Sequence, residues 1–157
     1  MRKQYVLSSK TGCLAFLVAL ASFWFAAPVW AAADYIGMVK TYQPTAGVVH
    51  DGVETPLGVG LKLYPGDIVV THSDAAVGII FMDGSVLSLG PESRFEIVDF
   101  LFKPTERTTM SFISKVTKGT VVFSSGAIGR ISPESVKFIT PTSTLSLHGT
   151  KILIEVK

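Results

Sequence analysis

Two adjoining stretches decide the fold class: Leu63-Tyr64-Pro65-Gly66-Asp67-Ile68-Val69-Val70-Thr71 and Ala76-Val77-Gly78-Ile79-Ile80-Phe81-Met82-Asp83-Gly84-Ser85-Val86-Leu87-Ser88-Leu89. Tyr64-Pro65-Gly66-Asp67 has Pro at the second and Gly at the third turn position, the type II arrangement, and a β-branched run follows it at once. Asp83-Gly84 sits between two apolar runs and supplies the positive φ that a two-residue hairpin turn requires. In Ala76–Met82 both parities are apolar, which predicts a strand buried on both faces.

Outward from there the punctuation stays dense. From Asp34 to Lys157 there are 13 Gly and 7 Pro in 124 residues, separating β-branched and aromatic runs. Strands are expected at residues 35–41, 47–50, 53–57, 68–71, 76–82, 85–89, 95–100, 108–116, 120–124, 136–139, 143–147 and 151–156. Asp51-Gly52 is a second hairpin turn, and Gly90-Pro91-Glu92-Ser93 and Lys118-Gly119 are read as ending their runs. After residue 33 no window of 11 residues carries a helical stripe free of Gly or Pro, so no long helix is expected there. The prediction is a single all-β domain of short strands, a sandwich or roll, with a short β-helix as the alternative.

Around Gly149 the apolar parity changes, from Leu145 and Leu147 to Ile152, Ile154 and Val156. An unbroken strand would turn one set to solvent, so a bulge or tight turn is expected at His148-Gly149-Thr150, where Gly149 is the residue able to take positive φ.

Residues 1–33 read differently. Arg2, Lys3 and Lys10 precede an uncharged apolar run ending in Ala31-Ala32-Ala33, a signal-peptide pattern with cleavage after Ala31 or Ala33. An uncleaved anchor is the alternative, and it too leaves the domain outside the cytoplasm. Residues 34–157 hold 11 of the 14 Lys/Arg and all 12 Asp/Glu. Their net charge is therefore −1, which gives no support to nucleic-acid binding. The only Cys, Cys13, and both Trp lie before residue 34, which removes disulfide, thiolate-metal and Cys-nucleophile chemistry from the exported part.

Enzymatic signatures are missing: no phosphate-binding Gly-Lys-Ser/Thr loop, no His-Glu-x-x-His, and Val122 where a nucleophile elbow at Ser124 needs Gly. His50, His72 and His148 are read as surface or turn residues, and His72-Ser73-Asp74, with Asp67 nearby, as a solvated turn rather than a metal site. Asp51, Asp67 and Asp83 are read as turn formers. Tyr35, Tyr42 and Tyr64 are the aromatics available for stacking on a glycan. No cofactor, metal or catalytic residue is assigned.

In order, Gly66-Asp67, Thr71, the apolar strand, Asp83-Gly84-Ser85, Gly119, Thr140-Pro141 and Gly149-Thr150 resemble the FecR domain over about residues 46 to 156. The resemblance implies an extracytoplasmic all-β module of the kind that relays an outer-membrane iron-transport signal to a sigma factor. With about ten residues before the apolar segment, a freestanding periplasmic version is expected, binding a periplasmic or membrane protein. Where many members carry Arg before Gly-Thr, this chain has His148. Lys151–Val156 is the expected partner-binding edge, with Lys151, Glu155 and Lys157 as charges guarding it against self-association. A cell-envelope structural or glycan-binding module is the runner-up, and a small hydrolase the third reading.

Overall fold

A computed structural model describes residues 34–43, 45–106, 109–147 and 149–157. The chain divides into Met1–Ala32 and Ala33–Lys157, and everything described lies in the second unit. Residues 1–33, expected to be a leader, and His148 fall outside the described residues. Among those residues no helix is long and apolar enough to cross a membrane.

The domain is all-β. Its strands are β1 (Gly37–Tyr42), β2 (Ala46–His50), β3 (Val53–Pro56), β4 (Lys62–Leu63), β5 (Ile68–Thr71), β6 (Val77–Phe81), β7 (Val86–Leu89), β8 (Arg94–Leu101), β9 (Ser111–Ser124), β10 (Val136–Ile139), β11 (Thr144–Ser146) and β12 (Lys151–Val156). They form a curled, half-barrel sheet in order β3-β2-β5-β8-β9-β7-β6-β1-β4, with β10, β11 and β12 attached off this path. Every pairing is antiparallel except β9 with β10. That pattern belongs to a roll and not to a β-helix, whose coils stack in parallel.

β9 organises the whole. Its first half pairs with β8 and β10 and its second half with β7 and β12, so one strand serves two sheets. Phe112, Ser114 and Val116 are buried in the first half and Val121 and Phe123 in the second, so the buried parity changes from even to odd within one strand. Gly119, at φ +91°, is the bend that permits it, and the β8–β9 register shifts beside it, between Arg94 and Phe95. The expected division into strands at 108–116 and 120–124 is thus corrected: Lys118-Gly119 bends a continuous strand and does not end it. Phe112 sits at the centre of the core, 4.9 Å from Phe81 and 5.0 Å from Phe123 between ring centroids. The parallel β10 needs a crossover, and the chain supplies it with a short helix, α1 (Ala127–Ile131), and a 3-10 turn (Pro133–Ser135).

Local details correct three further expectations. The β6–β7 connection has three residues, Met82–Gly84: Phe81 donates to the Ser85 carbonyl, Gly84 N donates back to the Phe81 carbonyl, and only Gly84 has positive φ. That is a type I turn closed by a left-handed residue, where a two-residue turn was expected. β6 buries Val77, Ile79 and Phe81, while Ile80 is half-buried and Met82 is 50% exposed. One face of this strand meets the core; the apolar residues of the other lie on the outside of the sheet. The chain does break between β11 and β12, but Gly149 has no positive φ. The break comes from a change of sheet, since β11 pairs with β10 and β12 with β9.

Candidate functional site

The residues that carry the family-like pattern are tied into separate places, and each tie is intramolecular. Gly66 takes φ +91° in the turn, where Asp67 N donates to the Tyr64 carbonyl. Asp67, 2% exposed, accepts from Tyr64 N through Oδ2 at 2.8 Å. Thr71 donates through Oγ1 to the Gly90 carbonyl at 2.7 Å and accepts from Ser93 N at 2.8 Å, fastening β5 to the turn that enters β8. Asp83 is 5% exposed and Ser85 1%. Asp83 accepts from Ser85 N (2.9 Å), Ser85 Oγ (2.7 Å) and Ile128 N (3.2 Å), and Ser85 Oγ accepts from Gly126 N (2.8 Å). The hairpin thereby holds the start of α1, a capping role filled by a side chain 45 residues away. Thr140 closes the exposed β10–β11 turn with Ser143, beside Pro141, and the Thr150 carbonyl accepts from Ser125 N at 2.8 Å. Gly149 is exposed, with open space around it.

One ionisable cluster emerges that the local sequence does not announce. His50, at the end of β2, holds Asp67 Oδ1 through Nδ1 at 2.5 Å, has Asp51 Oδ2 3.6 Å from Nε2, and lies against the Tyr64 ring at 5.9 Å. In sequence Asp67 lies near His72; the β2–β5 register brings it to His50 instead. The hydrogen bond to Asp67 and its negative charge, with a smaller contribution from Asp51, raise the His50 pKa above 6.5. A His whose folded pKa is raised stabilises the fold in full below its unfolded pKa, near 6.5, and loses that contribution as pH rises through the folded value. The urea midpoint of wild type should therefore exceed that of His50→Gln most at pH 5.5 and converge with it by pH 9. A gap that stays constant over that range would disprove the linkage. In the Asp67→Asn variant the His50 NMR titration should move back toward 6.5.

Among the described residues no three His, Cys, Asp or Glu side chains gather as for a metal ion. The described tyrosines, Tyr35, Tyr42 and Tyr64, make separate contacts. Tyr35 carries Lys62 Nζ 4.7 Å from its ring centroid, Tyr64 packs on His50, and Tyr42 is 41% exposed on β1.

β12, like β3, β4 and β11, has a ladder partner on one edge alone among the described residues, and it is the edge expected from the sequence to bind a partner. It pairs only with β9, from Lys151 opposite Ser124 to Val156 opposite Gly119, and has no partner on its other edge among the described residues. Ile154 is buried, and Ile152 and Val156 pack against the core. Lys151, Leu153 and Glu155 face outward, Leu153 at 65% exposure. Residues Leu153–Lys157 also line a shallow groove of about 500 Å³, whose opposite wall is the turn Thr140–Ser143 with Leu145. Comparison with protein-family models, with curated proteins and with solved structures finds no match to this chain.

Proposed function

We propose that this protein is an exported, non-enzymatic, FecR-like module that binds a protein partner in the periplasm as part of a signalling system. The observation that carries the reading is the open edge of β12, with Leu153 exposed and a groove alongside. Unpaired backbone donors and acceptors on such an edge are a template for an incoming strand, and the outward side chains give it selectivity. The leader-like residues 1–33 and the FecR-like order of turns support export and the choice of compartment. Asp67, Thr71, Asp83 and Ser85 add to the reading from another side, since their hydrogen-bonding capacity is turned inward to hold the scaffold that presents the edge.

The test places a single Cys at Lys151 or Glu155, with Cys13 changed to Ser, and cross-links in the intact cell. Repeated recovery of one envelope protein, identified by mass spectrometry, supports the reading. Absence of any protein adduct, with strong co-sedimentation with peptidoglycan, would replace it by a glycan-binding or structural role.

A further inference from the structure

The outward face of β12 has an internal symmetry. Lys151 and Glu155 lie two residues either side of Leu153, and all three side chains are exposed. A strand rises about 3.3 Å per residue, so the two charges stand roughly 13 Å apart and do not satisfy each other. Their neighbours across the ladder, Ser124 and Thr120, are uncharged. Among the described residues neither charge has an ion-pair partner. The strand thus presents two charges of opposite sign about an exposed apolar centre, with the exposed Lys157 two residues beyond Glu155.

We propose that β12 pairs with β12 of a second copy of this chain, antiparallel, about a two-fold axis through Leu153; this rests on reading β12 as a recognition edge and names its occupant. In that register Lys151 stands opposite Glu155 of the second copy and Glu155 opposite Lys151 of the second copy. Leu153 meets its own equivalent. On the core-facing side Ile152 stands opposite Ile154 of the second copy. Opposite charges directly across an antiparallel pair attract, and exposed apolar side chains at the centre are removed from water. Competing registers lose this match: sliding by two residues sets Lys151 against Lys157 with Leu153 against Glu155, or Lys151 against Leu153. Parallel pairing in register sets like charge on like. The same Lys and Glu that discourage parallel stacking therefore select one antiparallel register, and an isologous interface of this kind closes at two copies. The β10–β11 turn stands across the groove from Leu153–Lys157.

The full chain, expressed from its complete reading frame and purified in the form the cell retains, is examined by sedimentation velocity up to about 100 μM, the range of weak interfaces. Wild type should be dimeric there. Lys151→Glu and Glu155→Lys should each weaken dimerisation by about tenfold or more, because two like-charge pairs replace two opposite ones. Mixed one to one, the two variants should form a heterodimer, since every cross-strand pair is then again of opposite sign. The single chain carrying both changes should dimerise as wild type does. Circular dichroism checks that each variant is folded. A monomeric wild type, a dimer indifferent to both reversals, or failure of both the mixture and the double variant to recover pairing would each overturn the proposal. A monomeric wild type that still cross-links to an envelope protein through β12 would leave the protein-binding reading standing; a dimer that traps no other protein would leave self-pairing standing alone.

Discussion

Replacing Gly119 by Ala should cost about 3 kcal/mol or more and lower the melting temperature by roughly 10 °C. Two independent penalties add. Gly119 sits at φ +91° in the middle of β9, a left-handed conformation that costs an L-residue about 1–2 kcal/mol. A methyl group there would also be driven into the backbone and side chain of Ser93. Ser93 cannot retreat cheaply: it is 1% exposed, its N donates to Thr71 Oγ1 at 2.8 Å, and its Oγ accepts from Thr120 N at 3.0 Å. The effect should reach the proposed binding edge, because Gly119 is the ladder partner of Val156 and the bend there orients the half of β9 on which β12 lies. Gly149→Ala is the matched control. With no positive φ and open space around its Cα, it should stay within about 0.5 kcal/mol of wild type. Equal melting temperatures for the two variants would show that the bend at Gly119 is not a fixed feature of the fold.

The contrast between these two glycines marks what could be read from the sequence. A change of apolar parity is visible at both places. Between Leu147 and Ile152 it coincides with a change of sheet, and the chain is simply broken there, so glycine is not required. Between Val116 and Val121 the strand continues through the change, here by way of a left-handed glycine, and the signal lies in the same alternation rule. The turns were legible because their chemistry is local: Asp51 and Gly52 both take positive φ, at 48° and 81°, and Gly66 sits at 91°. The all-β class followed from the spacing of those turns. What stayed hidden depends on partners far away in the chain. His50 and Asp67 are 17 residues apart, and the parallel pairing of β10 with β9 follows from a crossover whose five-residue helix has too few turns to show a periodicity. The turn-forming reading of Asp83 was half of the truth, since its Oδ1 bonds Ser85 N two residues on while its Oδ2 reaches Ile128.

That second half predicts the other large effect. Asp83→Ala should destabilise the domain by roughly 3–5 kcal/mol, because it leaves buried donors without their acceptor. The carboxylate accepts from Ser85 N, Ser85 Oγ and Ile128 N, and Asp83, Ser85 and Ile128 are all buried. A buried N–H left without an acceptor costs about 1–3 kcal/mol, and bonds to a charged acceptor are the stronger kind. Asp83→Asn should cost less. Its carbonyl oxygen still accepts from Ser85 N, and Ser85 Oγ is able to turn and accept from the new amide. The Ile128 N–H, however, then meets a second donor, so α1 loses its cap at that position. Amide hydrogen exchange separates the two variants beyond their melting temperatures. In Asp83→Asn the faster exchange should be confined to Ile128 and its neighbours in α1, with the β6–β7 ladder still protected; in Asp83→Ala protection should fall in the hairpin and helix together. The hairpin and helix are coupled through more than this carboxylate, since Ala127 N donates to the Asp83 carbonyl at 2.8 Å and Gly126 is packed so closely on Asp83 and Ser85 that a Cβ would collide with their backbone. Gly126→Ala should therefore reproduce the pattern of Asp83→Ala, with hairpin and helix loosening together although every acceptor is retained. Protection unchanged in α1 for Asp83→Asn would mean that the distant carboxylate does not hold the helix.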